Sequence, residues 1–176
     1  MSTRKIVISG VLAAIAILLG VTRLGFIPVP TAAGNATIMH VPAIIGGIME
    51  GWVVGGIIGT IFGIFSFLQA TTPLFKDPLV AIFPRIFIGI TAYFTYVGLK
   101  KVNEYLALIV AAVVGTFTNT ILVLGMAVLR NYIPLPAALT VVAVNGIPEA
   151  IVAAIVVVAV VAAWKRIETG SGKSKV

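Results

Sequence analysis

Residues 138–164 read ALTVVAVNGIPEAIVAAIVVVAVVAAW, an apolar run broken by one carboxylate that directly follows a proline, Pro148-Glu149. The run is long enough to cross a bilayer as a helix. Residues 79–99, LVAIFPRIFIGITAYFTYVGL, repeat the arrangement with a cation, Pro84-Arg85. A charge at membrane depth costs about 2.5–3.5 kcal/mol on insertion scales, so it faces protein, water or ligand rather than lipid. Each proline also leaves a backbone carbonyl one turn earlier, at Val80 and Val144, without its helical donor. Two such places in one short chain point to a polar site buried in a bundle of membrane helices.

Four more apolar runs, over 5–24, 38–50, 52–69 and 104–129, bring the total to six. The chain has 176 residues, 60% hydrophobic and 10% charged, a composition typical of integral membrane proteins. The expected fold is an all-α integral membrane protein, a six-transmembrane-helix bundle over 1–166 with a disordered cytoplasmic tail over 167–176. The 38–50 run is short for a crossing, and a re-entrant segment there would leave five spans. Arg4-Lys5 before the first run resembles a signal peptide. That run nevertheless continues to Leu24 without a small-x-small cleavage site, and reads as a retained span. The absence of cysteine excludes disulfides, thiolate metal sites and cysteine nucleophiles.

The net charge of +7 reads as membrane orientation rather than nucleic-acid binding. Six spans put Arg4, Lys5, Lys100, Lys101, Lys165, Arg166, Lys173 and Lys175 on the side of the termini. Arg23, Lys76 and Arg130 fall on the other side. Basic residues collect inside, so both termini are expected in the cytoplasm.

Depth then follows from 1.5 Å per helical residue. Asn145 and Glu149 share one face of the last span, and Thr116, Asn119 and Thr120 share one near the middle of the fifth. Arg85 lies in the outer half of the fourth span. Gln69 ends the third, the outer loops add Asn35 and Thr37, and His40 opens the second. Polar side chains thus gather in the outer half and leave the cytoplasmic half apolar. A conducting pore needs polar lining along its length; a pocket open to the outside does not. Aromatic walls could come from Phe67 and Tyr93, with Phe65, Phe75 and Tyr96 near them. The candidate binding residues are Asn35, Thr37, His40, Phe67, Gln69, Arg85, Tyr93, Asn119, Asn145 and Glu149.

Plainer readings stand beside these. Arg85 and Glu149 could pair with each other. Asn119 and Asn145 could satisfy the carbonyls opened by the prolines. His40 could be a packing residue, and the aromatics could face lipid. Gly55, Gly59 and Gly63 recur every four residues, the spacing that lets helix backbones approach closely, and are read as internal packing. One histidine cannot make a metal site. The tail Gly170-Ser-Gly-Lys-Ser174 lacks the first glycine, strand and helix of a phosphate loop. No nucleophile or carboxylate pair stands out, so neither an enzyme nor a cofactor is expected.

Residues 35–63, NATIMHVPAIIGGIMEGWVVGGIIGTIFG, followed by 78–85, PLVAIFPR, carry a family resemblance that extends over nearly the whole chain. The sequence resembles the substrate-binding S components of energy-coupling factor (ECF) vitamin transporters, in the group that includes pantothenate, riboflavin and folate binders. The resemblance implies the S-component fold in a prokaryotic plasma membrane. It implies capture of a water-soluble vitamin from outside, between the outer halves of spans 4–6 and the outer loops. It implies docking onto a transmembrane coupling protein with two ATPase subunits, which alone use ATP. Docking would use a small-xxx-small face on span 1, for which Ser9 with Ala13 and Gly10 with Ala14 are the matches. The planar fork of Arg85 suits a carboxylate or phosphate, and Asn119 and Asn145 suit amides or hydroxyls. Together they favour pantothenate, with riboflavin and folate as alternatives. The competing readings are a stand-alone proton-coupled transporter using Glu149 and a membrane scaffolding subunit.

Overall fold

The computed structural model describes residues 2–28 and 35–171. A helix, α1 (Thr3–Val21), opens the chain, with the Ser2 hydroxyl capping its first turn. It ends before Arg23, which has a positive φ of 59°. Two short strands follow, β1 (Phe26–Pro28) and β2 (Asn35–Thr37), paired antiparallel with Phe26 opposite Thr37. Then come α2 (Val41–Glu50) and α3 (Trp52–Leu68), joined at Gly51. Gly51 has φ of 105°, a conformation that glycine adopts without steric cost. A 3-10 turn (Pro73–Lys76) and the single-turn α4 (Pro78–Ala81) lead into α5 (Phe83–Leu99). The last two helices are α6 (Glu104–Leu129), capped by Asn103, and α7 (Leu135–Ser171).

Helices stand at all six apolar runs. Four helical stretches, 3–21, 78–99, 104–129 and 135–166, are long and apolar enough to cross a membrane. The other two, α2 and α3, have 10 and 17 residues. The expected all-α membrane architecture holds, with the small hairpin as an addition among the described residues. α7 continues to Ser171, beyond residue 166 where a disordered tail was expected to begin, and 172–176 lie outside the described residues.

The short second run has a physical explanation. Every residue from Val41 to Ile48 is buried, as a helix apolar on all sides must be. α2 packs against α1, α3, α5, α6 and α7, so it forms the centre of the bundle. Its length, about 15 Å, covers only half of a hydrocarbon core of roughly 30 Å. Its end, Glu50, accepts a hydrogen bond from Arg4 Nε at 2.9 Å, which places α2 in the half of the bundle where α1 begins. Before α2, the paired strands pack through β2 against α7.

The fourth run, expected as one helix over 79–99, breaks at Ile82. Proline fits the first turn of a helix and not its interior, so Pro84 opens α5 instead of kinking a longer helix. The glycine stripe is internal packing, as the sequence suggests. A Cβ on Gly59 would lie 2.0 Å from the Arg85 carbonyl oxygen, and one on Gly55 2.8 Å from Gly89 Cα. A Cβ on Gly47 would lie 2.2 Å from the Gly89 oxygen. Here α2, α3 and α5 meet backbone to backbone, without room for a side chain.

Candidate functional site

Apart from Ser9 on α1, the buried polar side chains gather in one half of the bundle. On α7 the buried stripe runs Asn145, Glu149, Ala153, Val157 and Val161, polar and then apolar. On the antiparallel α6 it runs Leu108, Ala112, Thr116, Asn119 and Thr120, apolar and then polar. The apolar halves join Ile44, Ile48, Ile88 and Ala92 in a continuous core. The polar halves form the candidate site.

Thr116 and Thr120 sit one turn apart and link its parts. His40, fully buried just before α2, has Nε2 2.9 Å from the Thr116 hydroxyl. The Thr120 hydroxyl, 3.2 Å from the Thr116 carbonyl, also lies beside the Glu149 carboxylate, and its one proton can serve either acceptor. Glu149 Oε1 accepts the backbone N–H of Thr37 at 2.8 Å, tying the hairpin to α7. The polar half is thereby closed over by β2.

Arg85 completes the site from α5. It is 4% exposed, and its guanidinium lies 5.7 Å from the Phe62 ring centroid and 5.1 Å from that of Phe75. Its Nη1 donates to the Val80 carbonyl. The carbonyl that Pro84 deprives of its helical donor is therefore capped by the neighbouring side chain. Arg85 and Glu149 do not form an ion pair. The bridges among the described residues include Arg4–Glu50, Arg130–Asp77 and Lys165–Glu104, and neither Arg85 nor Glu149 takes part in them. Among the described residues, His40 Nδ1, Arg85 Nε and Asn119 Oδ1 are buried without a hydrogen-bond partner. Buried polar atoms are nearly always paired, so these open atoms make His40, Arg85 and Asn119 candidates for contact with a polar ligand.

The other sequence candidates divide. Asn145 is buried on the stripe with Glu149. Thr37 contributes its backbone N–H. Phe67 is half-buried and Gln69 exposed at the end of α3. Tyr93 lies two turns from Arg85 and packs edge-on against Phe94, which is exposed. The side chain of Asn35 lies outside the described residues. Phe62, Thr116 and Thr120 are additions to the candidate set. Phe62 could have been found from its spacing, three residues after Gly59 on the face that meets α5.

Two further groups frame the site. Outside the spans, Asp77 accepts Arg130 Nε at 2.7 Å, and that bond is the main cause of its carboxyl standing below the ordinary range. At the opposite end of the bundle, the Tyr96 hydroxyl donates to Glu104 at 2.8 Å and Lys165 donates to both. Apolar grooves of about 600 Å³ between α6 and α7 and about 430 Å³ between α5 and α6 lie on the outer surface, away from the polar cluster. Their exposed Ile147, Ile151 and Ile121 suit contact with lipid.

The two registers on α1 part in the structure. Ser9 and Ala13 are buried against the bundle, and Ser9 Oγ donates to the Lys5 carbonyl at 2.7 Å. Gly10 and Ala14 face outward, and a Cβ on Gly10 would meet nothing within 4 Å.

Comparison with known proteins gives the family. The family model described as "ECF transporter, substrate-specific component" matches residues 4–161. The chain is similar to a pantothenic acid transporter, PanT, of Lactococcus lactis subsp. cremoris (strain MG1363). The two are 36% identical over 160 residues, covering 77% of this chain and 80% of the relative.

Proposed function

The chain belongs to the substrate-specific components of ECF transporters, and from that premise we propose that it captures pantothenate. The observation that carries the proposal is Arg85, a buried guanidinium with no carboxylate partner and with Nε open. An uncompensated buried cation is costly, and a ligand carboxylate removes that cost with charge-assisted hydrogen bonds. Pantothenate also carries an amide and hydroxyls. Asn119 Oδ1 and the Glu149 carboxylate are acceptors for those donors, and His40 offers Nδ1. The named substrate of the relative supports the same choice over riboflavin or folate.

The transport cycle follows from the division of the bundle. The protein sits in the plasma membrane of a prokaryote with both termini cytoplasmic, the hairpin and α2 together making the second of six passes. Vitamin enters from outside, beneath β2. The apolar half, from Ile44 and Leu108 to Val161, offers no polar route onward, so the chain binds but does not conduct. Release inside requires a partner that binds the loaded and empty states differently. That partner is a transmembrane coupling protein carrying two ATPase subunits, which docks on the Gly10/Ala14 face of α1. The chain itself binds no ATP and performs no covalent chemistry.

Equilibrium binding of labelled pantothenate to the purified chain tests the assignment. Arg85→Ala removes the carboxylate contact, and a lost charge-assisted pair of about 1.5–3 kcal/mol weakens binding by one to two orders of magnitude. Unchanged affinity in a folded Arg85→Ala protein would remove Arg85 from the site. Uptake by the isolated chain in liposomes under a pH gradient would favour a stand-alone proton-coupled carrier.

A further inference from the structure

Asp77 forms a knot that the binding reading leaves unused. Its Oδ1 accepts the Leu79 N–H at 3.0 Å, opening α4. Its Oδ2 accepts Arg130 Nε at 2.7 Å and faces the Tyr132 hydroxyl at 3.4 Å. Arg130 and Tyr132 belong to the turn between α6 and α7, where Asn131 has a positive φ of 59°. One carboxylate thus ties the α3–α5 connection to the α6–α7 connection. Beneath it, Val80 packs with Val123 and Ala127, and Phe75 and Ile133 lean on the same cluster.

Besides Phe62 of α3, Arg85 has two neighbours in the segment that Asp77 pins. Phe75, two residues earlier, lies 5.1 Å from the guanidinium, and Val80, three residues later, accepts its Nη1. α4 has only four residues, and a single helical turn is unfavourable by itself. Pro84 has no N–H to reach the Val80 carbonyl, and the Arg85 N–H turns to the Ile82 carbonyl at 3.0 Å instead of reaching back into α4. Something outside the segment must fix it, and the Asp77–Arg130 pair is the polar tie that does so.

We propose that Asp77, held by Arg130, is a positioning residue: it sets the Phe75 ring and the Val80 carbonyl so that the Arg85 guanidinium is aimed at the anionic group of the ligand. This rests on the reading that Arg85 takes that group. A planar fork recognises a carboxylate by direction as well as charge, and loss of its supports misaligns it without removing the charge.

The test compares pantothenate with pantothenol, the uncharged alcohol analogue, in competition binding to the purified full-length chain. Asp77→Asn and Arg130→Gln are measured beside Arg85→Ala, and Arg130 is half-exposed, so its variant spares the core. Asp77→Asn and Arg130→Gln should each weaken the acid roughly tenfold and leave the alcohol within about twofold, since misalignment costs only the directional contact. Equal loss of both ligands would mean a merely structural tie and would overturn the proposal. Unchanged acid affinity in Asp77→Asn and Arg130→Gln, with Arg85→Ala defective, would also overturn it while leaving the Arg85 reading intact. Unchanged acid affinity in Arg85→Ala would defeat that reading and the proposal with it.

Discussion

Arg85 and Glu149 show what single residues reveal and what they withhold. Their burial is legible because charge inside an apolar run has few places to go. Their relation to each other is not, because pairing depends on the relative register of α5 and α7. The structure holds them apart, each with its own backbone contact: Arg85 with the Val80 carbonyl, Glu149 with the Thr37 N–H. The sequence also identifies the carbonyl that Pro84 leaves open. That Arg85 itself caps it follows from the helix break at Ile82, which the apolar pattern does not mark. Glu149 doubles as the tether of the hairpin. Glu149→Ala strands a buried N–H, a loss of about 1–3 kcal/mol, and should lower the melting temperature. Glu149→Gln keeps an acceptor and should recover most of that loss. Thermal unfolding of the two variants distinguishes them, and equal melting temperatures would contradict the tether.

At the scale of elements, hydropathy locates helix at each of the six apolar runs, because each run buries or presents apolar surface along most of its length, though it does not separate α4 from α5. It misses the hairpin, whose strands are three residues each, too short for alternation to register. It therefore leaves the second run as a puzzle that the half-length α2 resolves. The glycine spacing correctly announces close approach, and the structure supplies the partner: α3 meets α5 at Gly89 and at the Arg85 carbonyl. The fold of the binding half therefore depends on side chains that are absent. The two small-residue registers on α1 cannot be separated by spacing alone, since both satisfy it; burial separates them. Gly10→Leu should leave vitamin binding by the purified chain unchanged and abolish uptake with the coupling module, because the larger side chain blocks close helix approach. Ser9→Leu should lower stability instead, by the roughly 1–3 kcal/mol typical of overpacking. Normal uptake by Gly10→Leu would contradict the docking face.

For the whole molecule, the decisive property is the division into a polar half and an apolar half. The order of residues along α6 and α7 already displays it, because antiparallel helices must bring Thr116–Thr120 beside Asn145–Glu149 and Leu108 beside Val157. The choice of vitamin was less legible. Depth along a span does not say which way a side chain points: Phe67 is half-buried and Gln69 exposed. The central claim is that this bundle is a pantothenate receptor. Thermal unfolding of the purified chain with pantothenate, riboflavin or folate tests it most directly. A ligand bound only to the native state at about 100 times its Kd adds about 2.7 kcal/mol of stability, a rise of several degrees for a chain of this size. The account predicts that rise with pantothenate and none with the other two; a rise with riboflavin or folate alone, or with none of the three, would contradict it.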